Sequence, residues 1–244
     1  MNPVLLAGVD LAWKPDKYPT AIALGEHTGD GITVVEIMPA IYGAQNIVDA
    51  LTGHNGLHGI AVDASLIIKN ETGQRPCEKE VSKSYGSRGA ACHSSNTTQY
   101  PDAASVYLSQ QLDQKGFKHL SDDKFQIECY PHPAIIEIFN LSERLKYKKG
   151  RVLEKKSGQK KLASLIRSLD SNNVLQLQIP IEFDYYFDEI FIENQKGKAL
   201  KSNEDALDAV ICLYIAGLYA VGAEGRTFGN ADSGYIWVPT GELE

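Results

Sequence analysis

Carboxylate side chains stand at the ends of several apolar runs in this chain. These carboxylates are Asp10 after residues 5–9, Asp63 after residues 59–62 and Glu128 after residues 125–127. A carboxylate among buried apolar neighbours is costly unless it is paired, hydrogen-bonded or bound to a metal. An aspartate that closes a strand is also an ordinary turn former. The recurrence of the pattern favours a functional cluster.

Two further carboxylates lie on a strongly apolar segment that predicts a helix over residues 203–221, with Ser202 or Asn203 as N-cap. Asp205 and Asp208 are three residues apart, so a helix presents both on one face. Asp205 is also explained by the helix dipole, which favours acids in the first turn. Asp208 lies between Leu207 and Ala209, where a solvated carboxylate has little reason to be.

Several like charges that converge without a cation raise one another's pKa and destabilise a fold, whereas a hard divalent ion turns them into a site. Oxygen-only ligands suit Mg²⁺ or Mn²⁺ better than zinc. Two such ions about 4 Å apart activate a water and stabilise the leaving oxygen in phosphodiester cleavage. We therefore predict a catalytic metal centre, whose ligands are Asp10, Asp63, Asp205 and Asp208.

The 244 residues, 43% of them hydrophobic, predict one domain over residues 1–244 with an ample core. Residues 67–101 are polar and lack a clear period, which indicates an inserted functional loop. A helical, basic segment spans about 146–200, and residues 146–161 alone carry a net charge of +7. The whole chain carries −7, which argues against coating nucleic acid through general positive charge. The basic run is either a local phosphate-contacting surface or a solvated helix face.

The four cysteines are far apart, and no run reaches membrane-spanning length, so a reducing cytoplasm and no membrane partner are expected. A zinc site is a weaker alternative because it would draw its ligands from separate segments without a Cys-x-x-Cys pair. Its candidate ligands are Cys77, Cys92, His93, Cys129 and His132.

The order of predicted elements is an antiparallel three-strand meander, a short helix, and then strands alternating with helices. This order is the layout of a ribonuclease H-like fold. The expected architecture is α/β, with a mixed five-stranded sheet flanked by helices and an insertion after the fourth strand.

Motifs spread over nearly the whole chain resemble family 429 of the domains of unknown function, regarded as predicted nucleases of the ribonuclease H fold. They are Gly8-Val9-Asp10-Leu11-Ala12-Trp13, Val62-Asp63-Ala64, Arg75-Pro76-Cys77-Glu78, the stretch from Glu128 to Ala134, Tyr147-Lys148 and the stretch from Glu204 to Ala209. The Asp-Ala-x-Asp-Ala rhythm at residues 205–209 also resembles Holliday junction resolvases. The resemblance implies that Asp10 bridges the metals, that Asp63, Asp205 and Asp208 complete the shell, and that Glu128 or His132 assists.

The sequence thus predicts a Mg²⁺- or Mn²⁺-dependent nuclease whose partner is DNA or RNA. His132 is a candidate general acid or phosphate contact. The candidate substrate-binding residues are Arg75, Lys148, Lys149 and Arg151.

Two other function classes stay open. Actin-like and sugar-kinase ATPases also begin with a strand that ends in Asp, but they need a Gly- and Thr/Ser-rich hairpin after it, where this chain has Leu11-Ala12-Trp13-Lys14-Pro15. A catalytically idle domain that binds nucleic acid or protein on the same scaffold is the third possibility.

Overall fold

A computed structural model describes residues 3–29 and 31–241. It is an α/β structure in which a mixed seven-stranded sheet is flanked by helices, with strand order β5-β6-β4-β1-β2-β3-β7. These strands are β1 Val4–Asp10, β2 Thr20–Thr28, β3 Gly31–Ile41, β4 Leu57–Val62, β5 Lys118–His119, β6 Phe125–Glu128 and β7 Gln176–Gln178. A separate hairpin joins β8 Gly225–Asn230 to β9 Gly234–Pro239.

Seven helices are described among these residues. They are α1 Ala44–Thr52, α2 Pro76–Tyr85, α3 Ala104–Gln114, α4 Pro131–Ile138, α5 Val152–Ser168, α6 Glu189–Asn194 and α7 Gly197–Ala220, with 3₁₀ turns at Gly86–Arg88, Leu169–Ser171 and Ile181–Phe187. No helix in the described ranges is long and apolar enough to cross a membrane.

The predicted meander is present, because β2 pairs antiparallel with both β1 and β3. Strand β4 lies parallel to β1, and β6 lies parallel to β4. The predicted count of five strands is wrong. The extra strands β5 and β7 have two and three residues at the sheet edges, too short to show an alternating pattern in the sequence.

Both faces of the sheet are covered. Helix α7 packs on one face, where Leu6 of β1 joins the same apolar cluster as Leu207 and Leu213. On the other face Val9 joins the cluster that contains Ile47 of α1 and other residues of α1 and α3. Burial on both faces explains why the central strands read as continuous apolar runs.

Helix α7 touches the backbone of β1. A Cβ at Gly8 would lie 1.9 Å from the backbone nitrogen of Leu213 and 2.2 Å from the backbone oxygen of Ala209. Only glycine therefore permits this approach. Because side chains alternate along a strand, Gly8 and Asp10 share the face that α7 covers.

Three helix boundaries differ from the sequence prediction. Helix α7 begins at Gly197 rather than at 203, so the predicted N-cap is wrong, and Asp205 lies two turns inside the helix. The apolar residues within 134–145 predict a helix over that range, but α4 ends at Ile138, and Asn140 after it has a φ of 45°. The basic run is not helical until α5 begins at Val152.

The segment 67–101 contains helix α2, which its polar composition did not predict. Cys77 and Val81 of α2 pack with Phe228 and Val238 of the β8–β9 hairpin in a third apolar cluster. The segment is therefore anchored by its own small core.

Candidate active site: an acidic cleft at the end of the central strands

Four aspartates meet where β1 and β4 end beside α7. The backbone N–H of Asp63 donates to the carbonyl of Val9 over 2.8 Å, which fixes Asp63 next to the end of β1. Ala61, two residues before Asp63, packs on the α7 side of the sheet, so Asp63 faces the same helix as Asp10. The carboxyl groups of Asp10 and Asp205 are close enough to share a hydrogen bond.

Lys148 lies among these carboxylates. Its Nζ is 2.8 Å from Oδ2 of Asp208 and 3.9 Å from Oδ2 of Asp63. The hydroxyl of Tyr147 donates to Oδ1 of Asp208 over 2.6 Å, and Asp208 is 0% exposed. Two consecutive residues therefore hold the two oxygens of Asp208.

A second lysine holds the outer end of the cluster. Lys201, one turn before the acids on α7, forms ion pairs with Glu204 and Asp205. Its spacing of three and four residues from these acids is the ordinary helical pairing distance. That pattern was visible in the sequence, but Lys201 falls outside the helix predicted there.

The electrostatics of the cluster favour uptake of a cation or a proton. Burial is the main cause that raises the pKa of Asp10 to about 8, although the charge of Lys148 opposes it. The pKa of Asp63 is raised to about 8 for the same reason. Burial lowers the pKa of Lys148, but its electrostatic interactions, with Asp208 above all and then with Tyr147, Asp10 and Asp63, outweigh burial and raise that pKa well above its usual value.

Glu128 ends β6 but points away from α7. Its neighbour Ile127 packs on the α7 side, so alternation directs Glu128 to the opposite face. There Arg75 donates from Nη1 to Glu128 over 2.9 Å and from Nε to Glu78 over 2.8 Å. The backbone N–H of Leu66 also donates to Glu128 over 2.9 Å. Arg75, 1% exposed, ties the inserted segment to the sheet.

His132 lines the cleft beside the aspartates. Its ring meets those of Tyr130 and Tyr147 edge-on, at centroid distances of 5.6 and 5.5 Å. Burial first, and the nearby charge of Lys148 second, lower the pKa of His132 to about 3. The imidazole is therefore neutral near pH 7, and its buried Nδ1 has no hydrogen-bond partner among the described residues.

Asp10, Asp63 and Asp205 line a cleft of about 1400 Å³, whereas Asp208 is 0% exposed and does not line it. Its basic lining residues near the rim are Lys14, Lys17, Arg144, Lys146 and Lys149. Its aromatic lining residues include Trp13, Tyr18, Tyr100 and Tyr130. The cleft therefore combines an acidic floor with a cationic and aromatic rim.

The basic run serves several purposes in the structure. Lys148 enters the acidic cluster, Lys149 lines the cleft, and Arg151 is exposed at the start of α5. Lys156 and Lys160 pair with Glu193, at 3.6 and 2.5 Å. The run does not form one continuous phosphate track.

One property of these acids suits a divalent ion and another does not. An all-oxygen donor set suits Mg²⁺ or Mn²⁺. Among the described residues, however, no three His, Cys, Asp or Glu side chains are grouped so that they could hold a metal ion. The ammonium group of Lys148 stands between Asp63 and Asp208 instead, so an ion held by these acids requires Lys148 to move.

Fold and cleft together define an α/β protein with a buried acidic centre. The chain belongs to the family described as "Protein of unknown function (DUF429)", which it matches over residues 8–233. No curated protein and no solved structure matches the chain.

Proposed function

We propose that this protein is a metal-assisted phosphodiesterase that acts on nucleic acid and has a ribonuclease H-like fold. The strand order β3-β2-β1-β4-β6 within the sheet supports the fold, since it contains the antiparallel meander and the two parallel strands expected from the sequence. The observation that carries the function is that Asp10, Asp63 and Asp205 line a cleft with basic side chains, and that Lys148 joins Asp63 to the buried Asp208 beside them.

The four aspartates are the groups that would hold a divalent ion once Lys148 withdraws. Bound there, Mg²⁺ or Mn²⁺ would supply an activated water and stabilise the developing charge on the phosphate. The protein's own side chains bind and orient. Lys146 and Lys149 at the rim attract the phosphate backbone, and Tyr147 holds Oδ1 of Asp208 in one orientation.

Three other predicted site residues receive different roles in this proposal. Glu128 and Arg75 are positioning residues, because their charges are satisfied by each other and by Glu78 inside the fold. His132 is a phosphate contact rather than a ground-state general acid, since it is neutral near pH 7.

A second function is favoured by the Lys148 ion pairs. A cluster already neutralised by an ammonium group suits a domain that binds nucleic acid without cleaving it. This alternative predicts binding and no turnover in any metal.

A cleavage assay separates the two. End-labelled DNA, RNA, hybrid and four-way-junction substrates are incubated with EDTA, Mg²⁺ or Mn²⁺, and ATP hydrolysis is followed in parallel. We expect cleavage that needs the metal and falls by more than about 100-fold in Asp10→Asn, beyond the loss typical of residues that only orient a ligand. The matched control is Asp49→Asn, on the exposed surface of α1. Cleavage that survives Asp10→Asn, or ATP hydrolysis without cleavage, contradicts the proposal.

A further inference from the structure

The ring pair formed by Trp13 and Tyr100 is an aromatic feature that the proposed chemistry does not use. Trp13 lies on the loop after β1, three residues beyond Asp10, and Tyr100 lies near the end of the inserted segment 67–101. Their ring centroids are 4.2 Å apart with an interplanar angle of 25°. Stacking on Tyr100 still leaves Trp13 40% exposed. Part of the indole is therefore accessible to another flat ring.

The pair stands between two cavities. Trp13 and Tyr100 line the acidic cleft and also a second cleft of about 960 Å³. Lys14 and Lys17 line both clefts as well. A chain that leaves the aspartates along this side meets an aromatic platform flanked by two ammonium groups.

We propose that the Trp13–Tyr100 pair stacks an unpaired base, and that the cleft takes single-stranded nucleic acid in preference to a closed duplex. The inference rests on the proposed function for the class of ligand, though not on cleavage. Aromatic rings beside a cationic groove are the usual means of holding single strands, because every base offers a π face and the cations follow the backbone.

The burial of the acids favours the same substrate. Asp205 lines the cleft but is only 4% exposed, and Asp208, one helical turn further on, is 0% exposed. The bases of a closed duplex are stacked on one another and have no free face for Trp13. A flexible single strand can place a phosphate at the floor and a neighbouring base on the indole.

Binding is measured without cleavage, in EDTA, by the anisotropy of labelled 12-residue oligonucleotides. We expect single-stranded DNA or RNA to bind more tightly than the matching duplex. Trp13→Leu should weaken single-strand binding by about tenfold, the loss expected for one base–aromatic stack, and Trp13→Phe should recover part of it. Duplex binding equal to single-strand binding, or unchanged affinity in Trp13→Leu, overturns the inference.

The chain offers a matched control. Tyr185 and Tyr186 form another close ring pair, also with centroids 4.2 Å apart, and Tyr185 is 44% exposed outside the cleft. Tyr185→Leu should bind single strands as the wild-type protein does. An equal loss in this variant means that any exposed aromatic pair contributes, which contradicts a specific platform.

Tryptophan fluorescence gives a second readout. The chain has two tryptophans, and Trp237 is 5% exposed, so single-strand binding should quench mainly the signal of Trp13. Single-strand binding through Trp13 without cleavage in any metal supports this inference and contradicts the proposed nuclease. Cleavage that is unchanged in Trp13→Leu supports the proposed nuclease and contradicts this inference. A lack of binding to every nucleic acid overturns both proposals.

Discussion

The ammonium group of Lys148 lies 2.8 Å from the buried carboxylate of Asp208. Lys148 therefore supplies a positive charge at the place where a divalent ion would have to bind. A metal and Lys148 compete for the same oxygens, and this competition can be measured through stability.

Lys148→Met should lower the free energy of unfolding by about 3 kcal/mol in metal-free buffer, since it leaves the buried charge of Asp208 without its cation. For a chain of this length the melting temperature should fall by about 6–12 °C. Added Mg²⁺ should raise the melting temperature of the variant more than that of the wild type.

The control for Lys148 is Lys146→Met. Lys146 is 68% exposed and pairs with Glu143 over 3.4 Å, so its loss should cost less than about 1 kcal/mol. A Lys148→Met protein that gains nothing from Mg²⁺ or Mn²⁺ would mean that the acids do not accept a metal in place of the ammonium.

Asp10→Asn should stabilise the metal-free protein, increasingly as pH rises. The pKa of Asp10 is about 8 in the folded protein and about 4 in the unfolded chain. Between these values the unfolded state is ionised while the folded state holds the proton, so the wild type loses stability as pH rises. An asparagine at this position does not ionise, so the variant does not lose stability in this way. We expect a gain of about 1–2 kcal/mol at pH 8. The upper limit is larger, because each pH unit between the two pKa values can contribute about 1.4 kcal/mol. Nearby lysines and water moderate the charge and keep the gain below that limit.

Thermal scans at pH 5, 6, 7 and 8 check this expectation for Asp10. The gain should be small at pH 5 and level off above pH 8. An Asp10→Asn protein that is less stable than the wild type at pH 8 would show that the charge is stabilising in the fold.

Arg75→Lys should destabilise the protein by about 3–5 kcal/mol, because lysine cannot bridge Glu78 and Glu128 with a planar, forked group. Urea unfolding measures the loss. Arg88→Lys is the matched control, since Arg88 pairs with Glu137 over 2.7 Å but is 33% exposed. Equal losses in the two variants would contradict a special anchoring role for Arg75.

Gly8→Ala should destabilise the fold by more than about 3 kcal/mol or prevent folding, because the new methyl group meets backbone atoms of α7 that have no rotamer to change. Gly31→Ala is the control. A Cβ at Gly31 meets nothing closer than 3.4 Å, so this change should be tolerated. A wild-type melting temperature for Gly8→Ala would show that α7 does not press on β1 as described.

Much of the fold around the candidate site could be predicted from the sequence. Alternation and apolar runs predicted the meander and the parallel strands that carry Asp10 and Asp63. The spacing of Asp205 and Asp208 predicted that they share a helix face. These features are local, because strand alternation and helical period are set by near neighbours in the chain.

The missed features depend on long-range contacts. The pairing of Arg75 with Glu128 joins residues 53 positions apart, and the stack of Trp13 on Tyr100 joins two separate loops. Composition does not distinguish Lys148, which enters the acidic cluster, from the other lysines around it in the sequence. Helix α7 was predicted to begin late because its first turn, Gly197 to Leu200, contains little apolar periodicity.

In the proposed nuclease, Asp10 of β1 and Asp208 of α7 belong to one catalytic centre. A double-variant cycle on the single-turnover cleavage rate tests it most directly, using a labelled single strand with Mn²⁺. If the two residues act as a unit, Asp10→Asn combined with Asp208→Asn should be hardly slower than either single variant. If the two losses multiply in the double variant, or if either single variant cleaves at the wild-type rate, the two residues do not share one centre.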